Sequence, residues 1–421
     1  MIPKSGNRFS DQIMRNENKP DLLSVAEALS RILADADTLP AEDASLDDAL
    51  GRVLVEDLKA LRTQPPADVS AMDGYAVRGA DVAVAPATLK VIGEVAAGHP
   101  FDGKVGKGEA ARIFTGGVMP EGGDTVVIQE LAVRDGDTVT FGKPTGKRRN
   151  VRLKGIDFSA GQVLLEAGRR LSDRDLMLAA AMNYPAVRIH RRPKVAVLGT
   201  GDELVAPGSA PAPGEIVYSN GYALRALVRN ESAEAVDLGV VPDRLEAIAA
   251  AVRRAREAQV DVLVTTGGAS VGEHDLVQRA LAAEGLSLSF WRLALRPGRP
   301  MMYGRLGGMQ VLGVPGNPVS SYVCAFLFLA PLIRRLAGRK DINLASADAV
   351  LGRDLPANDE RQDYLRATLE WGPQGPIATP VADQDSSLMA PLSKAGCLVI
   401  RPPYAPPAAA GSPCVILKLG L

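Results

Sequence analysis

Residues 194–204 read Lys-Val-Ala-Val-Leu-Gly-Thr-Gly-Asp-Glu-Leu, an apolar β-friendly run that passes straight into small residues and then acids. Working outward, the pattern repeats with helices between. Residues 195–198 read as a strand and 220–229 as a helix. A second strand is expected at 235–241. Leu245, Ile248, Ala249, Val252 and Ala255 mark one face of the helix that follows. A third strand falls at 260–264 and a helix at 276–283. Strands alternating with helices imply a parallel sheet covered on both faces. Ligands of such sheets bind beyond the carboxyl ends of the strands. The chemistry is therefore expected in the loops after Leu198, Val241 and Val264.

Two of those loops share a character. Gly199-Thr200-Gly201-Asp202-Glu203 follows the first strand, and Thr265-Thr266-Gly267-Gly268-Ala269-Ser270, ending on Glu273-His274-Asp275, follows the third. Small residues such as Gly267, Gly268 and Ser270 let backbone N–H groups approach an anion. The acids behind them cannot hold a phosphate directly, but they can hold a metal that does. The plainer alternative is that the glycines make turns and Asp202 or Asp275 caps a helix. Neither loop ends in Gly-Lys-Ser/Thr, and neither carries the Gly-x-Gly-x-x-Gly fingerprint of a dinucleotide site.

Trp291-Arg292-Leu293-Ala294-Leu295-Arg296-Pro297-Gly298-Arg299-Pro300 places three arginines in eight residues, among prolines and apolar side chains. A guanidinium fork suits phosphate or another tetrahedral oxyanion. Val314-Pro315-Gly316-Asn317-Pro318-Val319-Ser320 reads as a strand-to-helix turn with Asn317 as cap and Pro318 in the first turn. The helix after it is expected to run to about residue 337. Its greasiest part, 322–333, is short of the ~20 residues that span a bilayer and contains Pro331, so it reads as a buried core helix.

The rest of the chain divides by texture. Residues 1–20 look frayed. Ser24 and Glu27 have capping-box spacing ahead of a first helix. From residue 62 the chain becomes rich in short Gly-Val-Thr runs, with strands expected at 89–95, 124–129 and 138–141 and a hairpin turn at 134–137. Helical character returns at 172–182. The fold class is thus α/β and multidomain. A helical linking domain is expected at 20–60 plus 162–192, an inserted β-rich domain at 61–161, an α/β domain at 193–343 and a small C-terminal β domain at 344–421.

A formal net charge of −1 argues against general nucleic-acid or membrane-surface binding. The three cysteines and three histidines are too scattered for a zinc site or a catalytic triad. So few cysteines fit a reducing, cytoplasmic setting. The N-terminus shows no signal-peptide stretch, and a soluble protein is expected.

Taken together, SAMDGYAVR, RIFTGG, VRLKGIDFSAG, VLGTGDEL, EIVYSN, TTGGASVGEHD, FWRLALRPGRP and GVPGNPVS resemble the molybdopterin molybdenumtransferase family, which includes the E domain of gephyrin. The pieces occur in the family's order over roughly residues 20–340, and Asp363-Tyr364-Leu365-Arg366 and Gln384-Asp385-Ser386 extend the likeness more loosely. The resemblance implies an L-shaped homodimer of four-domain subunits. Its cleft would lie between the β domain of one subunit and the α/β and C-terminal domains of the other. The implied reaction takes adenylylated molybdopterin and molybdate to molybdenum cofactor and AMP, with Mg2+. Matching positions are Asp73, Thr115, Arg152, Asp157, Glu203, Asp243, Asp275, Arg292, Arg296, Pro315, Pro318, Arg366 and Ser386.

On this reading Glu203, Asp243 and Asp275 would place Mg2+. Arg292 and Arg296, with Arg299 and Ser386, would hold molybdate or substrate phosphate, and Asp73 and Asp157 would close the cleft. The adenylyltransferase of the same pathway and cofactor-accepting molybdoenzymes are the implied protein partners. The family often carries Lys where this chain has Arg292, Arg296 and Arg299. Three other readings are weighed: a molybdopterin adenylyltransferase, against which the additional β domains speak, a non-catalytic molybdopterin-binding scaffold, and a nucleotide-binding protein of unknown reaction.

Overall fold

The computed structural model describes residues 22–267, 276–373 and 375–420. Two compact units divide the chain. One comprises the residues up to Ala41 and from His190 onward, and the other is Glu42–Ile189.

The first unit is built on a six-stranded sheet. Its order is Glu234–Val241, Lys194–Thr200, Val262–Thr266, Met309–Val314, Met302–Leu306, Ser287–Trp291. The first four strands are parallel, and Met302–Leu306 runs antiparallel to both neighbours. Val195, Val197, Val262, Val264 and Leu312 face one core, and Ala196, Leu198, Leu263 and Val311 the other. Strands buried on both faces read as continuous apolar runs, which is why they stand out in the sequence. The helix Leu245–Glu257 buries Ile248, Ala251, Val252 and Ala255 against the second core, a 3.6-residue stripe.

The chain leaves Lys194–Thr200 through the helix Asn220–Asn230 to one side of the sheet, and leaves Val262–Thr266 toward the other. The crevice between the carboxyl ends of these two strands is thus the topological switch point of the sheet.

The expected long helix is present as Pro318–Leu336, and it is a core helix. Residues Ala325–Leu329 widen into a π turn just ahead of Pro331, with Ala330 N–H donating to Ala325 O. Proline removes an N–H and crowds the preceding turn, and the wider turn absorbs that.

The C-terminal strands close into a small barrel. Gln362–Gly372 pairs with Gly375–Pro380 on one side and with Cys397–Arg401 on the other. Leu295–Arg296, from the arginine stretch, adds to Gln362–Asp363 in parallel and so stitches the α/β part to the barrel.

The segment expected as a helical linking domain is divided in the structure. The helix Val25–Ala34 has the expected capping box, with Ser24 and Glu27 bonding reciprocally. Its apolar stripe of Val25, Ala28 and Ile32 packs into the first unit's core, alongside Phe328 and Tyr303. Among the described residues of Glu42–Ile189 the one α-helix is Asp173–Ala181. The rest of that base is short strand pairs, Leu58–Lys59 with Val163–Leu165 and Ala41–Ser45 with Ala186–His190. These outgoing and returning segments bracket a six-stranded β sheet. Strands Ala87–Val95, Thr125–Ile128 and Thr138–Phe141 fall where the sequence places them, and the hairpin turn joins Ala132–Asp135 to Thr138–Phe141.

Candidate active site

Three loops meet beyond the carboxyl end of the parallel sheet. Gly267 has φ +90°, and a Cβ placed there would stand 2.6 Å from the Thr200 carbonyl oxygen. Gly316 lies against Gly267, its own Cβ position 3.6 Å from the Gly267 Cα. The loops that follow Lys194–Thr200, Val262–Thr266 and Met309–Val314 therefore touch backbone to backbone. Gly267→Ala is expected to destabilise the fold by about 2–3 kcal/mol, since a clash with backbone adds to left-handed strain. Gly208→Ala is the control: φ is +91° there but nothing lies within 4 Å. It is expected to lose only about 1 kcal/mol in urea denaturation.

Acids gather on one side of this crevice. Asp202 Oδ1 accepts from the Asp243 backbone N–H at 3.1 Å, which joins the loops after Thr200 and Val241. The Asp243 carboxyl is raised above its ordinary pKa, first by partial burial and then by repulsion from Asp202 and Glu203. An excess of negative charge is what a divalent cation relieves. Among the described residues no three acidic or metal-binding side chains converge into a ligand shell. Asp275, the third expected ligand, lies outside the described residues, as do Gly268 and Ser270.

The three arginines of the basic stretch have different fates. Arg292 has φ +90°, a left-handed conformation that residues other than glycine seldom adopt. Its guanidinium lies over the Trp291 ring at 5.3 Å, its Nε is buried without a hydrogen bond, and it forms no ion pair among the described residues. Arg299 is exposed and likewise unpaired among them. Arg296, expected on an oxyanion, is instead taken up by the barrel. Its Nε donates to Asp363 at 2.7 Å, its Nη2 to Asp363 and to Asn358 at 2.9 Å, and its Nη1 to Asp359 at 3.1 Å. With Arg361 also on it, the Asp359 carboxyl is held down to about 2.

Arg366 is likewise not open to a ligand. It is 1% exposed, and its guanidinium donates to Leu388 O (2.8 Å), Asp385 O (3.0 Å), Asp383 O (3.2 Å) and Gln384 Oε1 (3.3 Å). It shapes the loop that carries Ser386. Ser386 in turn meets the turn at Pro315–Pro318: Asn317 Nδ2 donates to Ser386 Oγ at 2.8 Å, and Val319 N–H to Ser386 O at 3.1 Å. Asn317 has the backbone of a helix cap, but its side chain makes no capping bond. On the other flank Asn220 Nδ2 holds Gly316 O at 2.7 Å. Both asparagines lie in stretches the sequence reading singled out, yet only a cap was expected of Asn317 and nothing of Asn220. A cavity of about 430 Å3 opens beside this turn, between Asn220, Pro318, Tyr322 and Leu392.

In the other unit, the Asp73 carboxylate is the centre of a small polar island. Thr115 donates to Asp73 Oδ1 through its backbone N–H at 2.7 Å and its hydroxyl at 2.8 Å. These two bonds, with Arg112 nearby, hold the Asp73 carboxyl below its ordinary range. Arg112 is itself fixed by Gly74 O and Gln129 and stacks on Phe114 and Tyr75. Arg152 pairs with Val69 at the strand edge leading to Ser70, and its side chain is exposed. Asp157 is exposed on the turn that follows, with its N–H tied to Gln64 O.

Residues 23–183 match the MoeA N-terminal region (domain I and II), 196–335 a probable molybdopterin binding domain, and 348–419 the MoeA C-terminal region (domain IV). A molybdopterin molybdenumtransferase of Haemophilus influenzae is 35% identical over 90% of this chain and 94% of its own length. One from a Nostoc species is 35% identical over 87% of each chain. A crystal structure of a molybdopterin biosynthesis MoeA protein from Pyrococcus horikosii superposes with a TM-score of 0.80 at 31% identity. It covers 95% of this chain and 100% of that one.

Proposed function

The chain belongs to the molybdopterin molybdenumtransferase family, and from that premise we propose that its sheet-end crevice handles adenylylated molybdopterin, molybdate and Mg2+. It is a transferase of molybdenum cofactor biosynthesis. The proposed reaction breaks the phosphoanhydride P–O bond by attack of a molybdate or water oxygen at phosphorus. AMP leaves with the bond's electron pair, and two Mo–S bonds form to the dithiol as one molybdate oxygen leaves with the two thiol protons as water, without change of oxidation state.

The observation that carries this reading is Arg292. A non-glycine residue held at φ +90°, whose guanidinium forms no ion pair among the described residues, carries backbone strain of the kind kept at functional sites. Placed on the same sheet end as the backbone turns at Gly267 and Gly316, it offers a fork of donors to a tetrahedral oxyanion. Arg299 adds charge at the rim. Arg296 and Arg366 act indirectly, by fastening the arginine stretch and the Ser386 loop to the barrel.

Asp202, Glu203 and Asp243 fit Mg2+ in charge, and Glu203 and Asp243, with Asp275, are the residues that would hold it. When bound there, the ion would stabilise charge developing on the departing phosphate. The chain's own work is positioning: backbone turns hold the substrate's anionic groups, and Arg292 orients the second reactant. Asp73, Thr115, Arg152 and Asp157 would complete the cleft from the partner copy of a homodimer.

Purified protein with Mg2+ and adenylylated molybdopterin is expected to release AMP in a molybdate-dependent manner. Asp243→Asn is expected to lower that rate roughly 100-fold and shift the Mg2+ requirement to higher concentration, with the fold intact. Substrate binding without AMP release at any molybdate concentration would overturn the reading in favour of a carrier.

A further inference from the structure

Ser386 is gripped in an uncommon way. Its carbonyl oxygen accepts from Val319 N–H at 3.1 Å, and its hydroxyl oxygen accepts from Asn317 Nδ2 at 2.8 Å. Behind it, Arg366 fixes the carbonyls of Asp383, Asp385 and Leu388. The neighbouring Ser387 spends its hydroxyl proton on Asp385. Ser386 has no such internal acceptor among the described residues. A serine hydroxyl has one proton and two lone pairs. With one lone pair filled by an amide N–H, its proton is left for whatever lies in front of it.

We propose that Asn317 is a positioning residue that fixes the polarity of Ser386. In the observed rotamer the Asn317 amide nitrogen faces Ser386 Oγ, so the hydroxyl accepts from that side and its proton is left to donate outward, toward an oxygen of a tetrahedral oxyanion. Asn317 gives up its capping bond at the start of the Pro318–Leu336 helix to do this. An aspartate at 317 would cap the helix at least as well. It would also accept the serine proton and present a negative charge, so it would reverse the polarity. The inference rests on the reading that Ser386 faces molybdate.

The experiment measures the molybdate dependence of AMP release by the full-length protein. Asn317→Ala and Ser386→Ala are each expected to raise the KM for molybdate roughly tenfold, the effect of one lost hydrogen bond to a charged group, with kcat little changed. Asn317→Asp is expected to raise it further, roughly 100-fold, although it keeps the size and can cap the helix. The double variant Asn317→Ala/Ser386→Ala is expected to match Ser386→Ala alone, because Asn317 acts through that hydroxyl.

If Ser386→Ala raises the KM but Asn317→Ala does not, or the two effects multiply, the inference is overturned and the reading of Ser386 stands. If Ser386→Ala leaves the molybdate dependence unchanged, that reading falls and the inference falls with it. A purely structural Asn317 would lower thermal stability without moving the KM, which also overturns it.

Discussion

Arg366→Met is expected to lower stability by about 3–4 kcal/mol and to raise the KM for molybdate roughly tenfold, as loss of the Ser386 hydroxyl does. The magnitude follows from what the guanidinium does. It is 1% exposed, and it satisfies three main-chain carbonyls and the Gln384 side chain within one loop. Methionine matches its length but has no donor. Each partly buried carbonyl left unpaired costs about 1–3 kcal/mol, and some recover water because the loop lies at the surface. The activity loss is the second effect of the same change. Without Arg366 the Asp383–Leu388 loop loses its anchor, and Ser386 loses its register with Asn317 and Val319. Urea denaturation and a molybdate titration separate the two. A variant of native stability with a raised KM would mean that Arg366 meets the substrate directly, as its position in the sequence pattern implied.

The arginines show where sequence reading stops. Arg292, Arg296 and Arg299 look alike as letters, three basic residues in one shaped stretch. What separates them is a carboxylate 67 residues away: Asp363 takes two donors of Arg296, and Asn358 and Asp359 take the others. Lysine could not fill that site, since a point charge cannot match a forked pair of acceptors. Arginine at 296 in place of the family's frequent lysine is therefore suited to a structural tie. The alternating strands and helices were legible because the sheet is buried on both faces and its helices on one, which writes burial directly into residue type. The capping box at Ser24 and the hairpin at Gly136 were legible because their partners are a few residues apart. The packing of the Val25–Ala34 helix was not, because an apolar stripe says that a helix is covered and not by what. Asn317 and Ser386, 69 residues apart, belong to the same class of hidden contact.

Arg292 gives the sharpest separation of stability from function. Arg292→Ala and Arg292→Gly are both expected to slow AMP release by about 100-fold or more, because both remove the guanidinium. Their stabilities are expected to differ. The φ of +90° is imposed by neighbours: Arg292 N–H donates to Met301 O at 3.1 Å and Leu293 N–H to Arg299 O at 2.9 Å. Those bonds remain in either variant, so the backbone stays left-handed. Alanine keeps a Cβ and with it the steric penalty, about 1–2 kcal/mol. Glycine removes that penalty at the position where its freedom is of use. Arg292→Gly is thus expected to exceed Arg292→Ala in stability by about 1–2 kcal/mol, against the usual ranking of the two residues. Equal stability would show that the turn relaxes when the side chain goes, and that Arg292 holds no stored strain. The expected result would locate the strain in the chain itself: the fold tolerates a costly backbone at this point because a glycine there, though more comfortable, leaves the oxyanion without its fork.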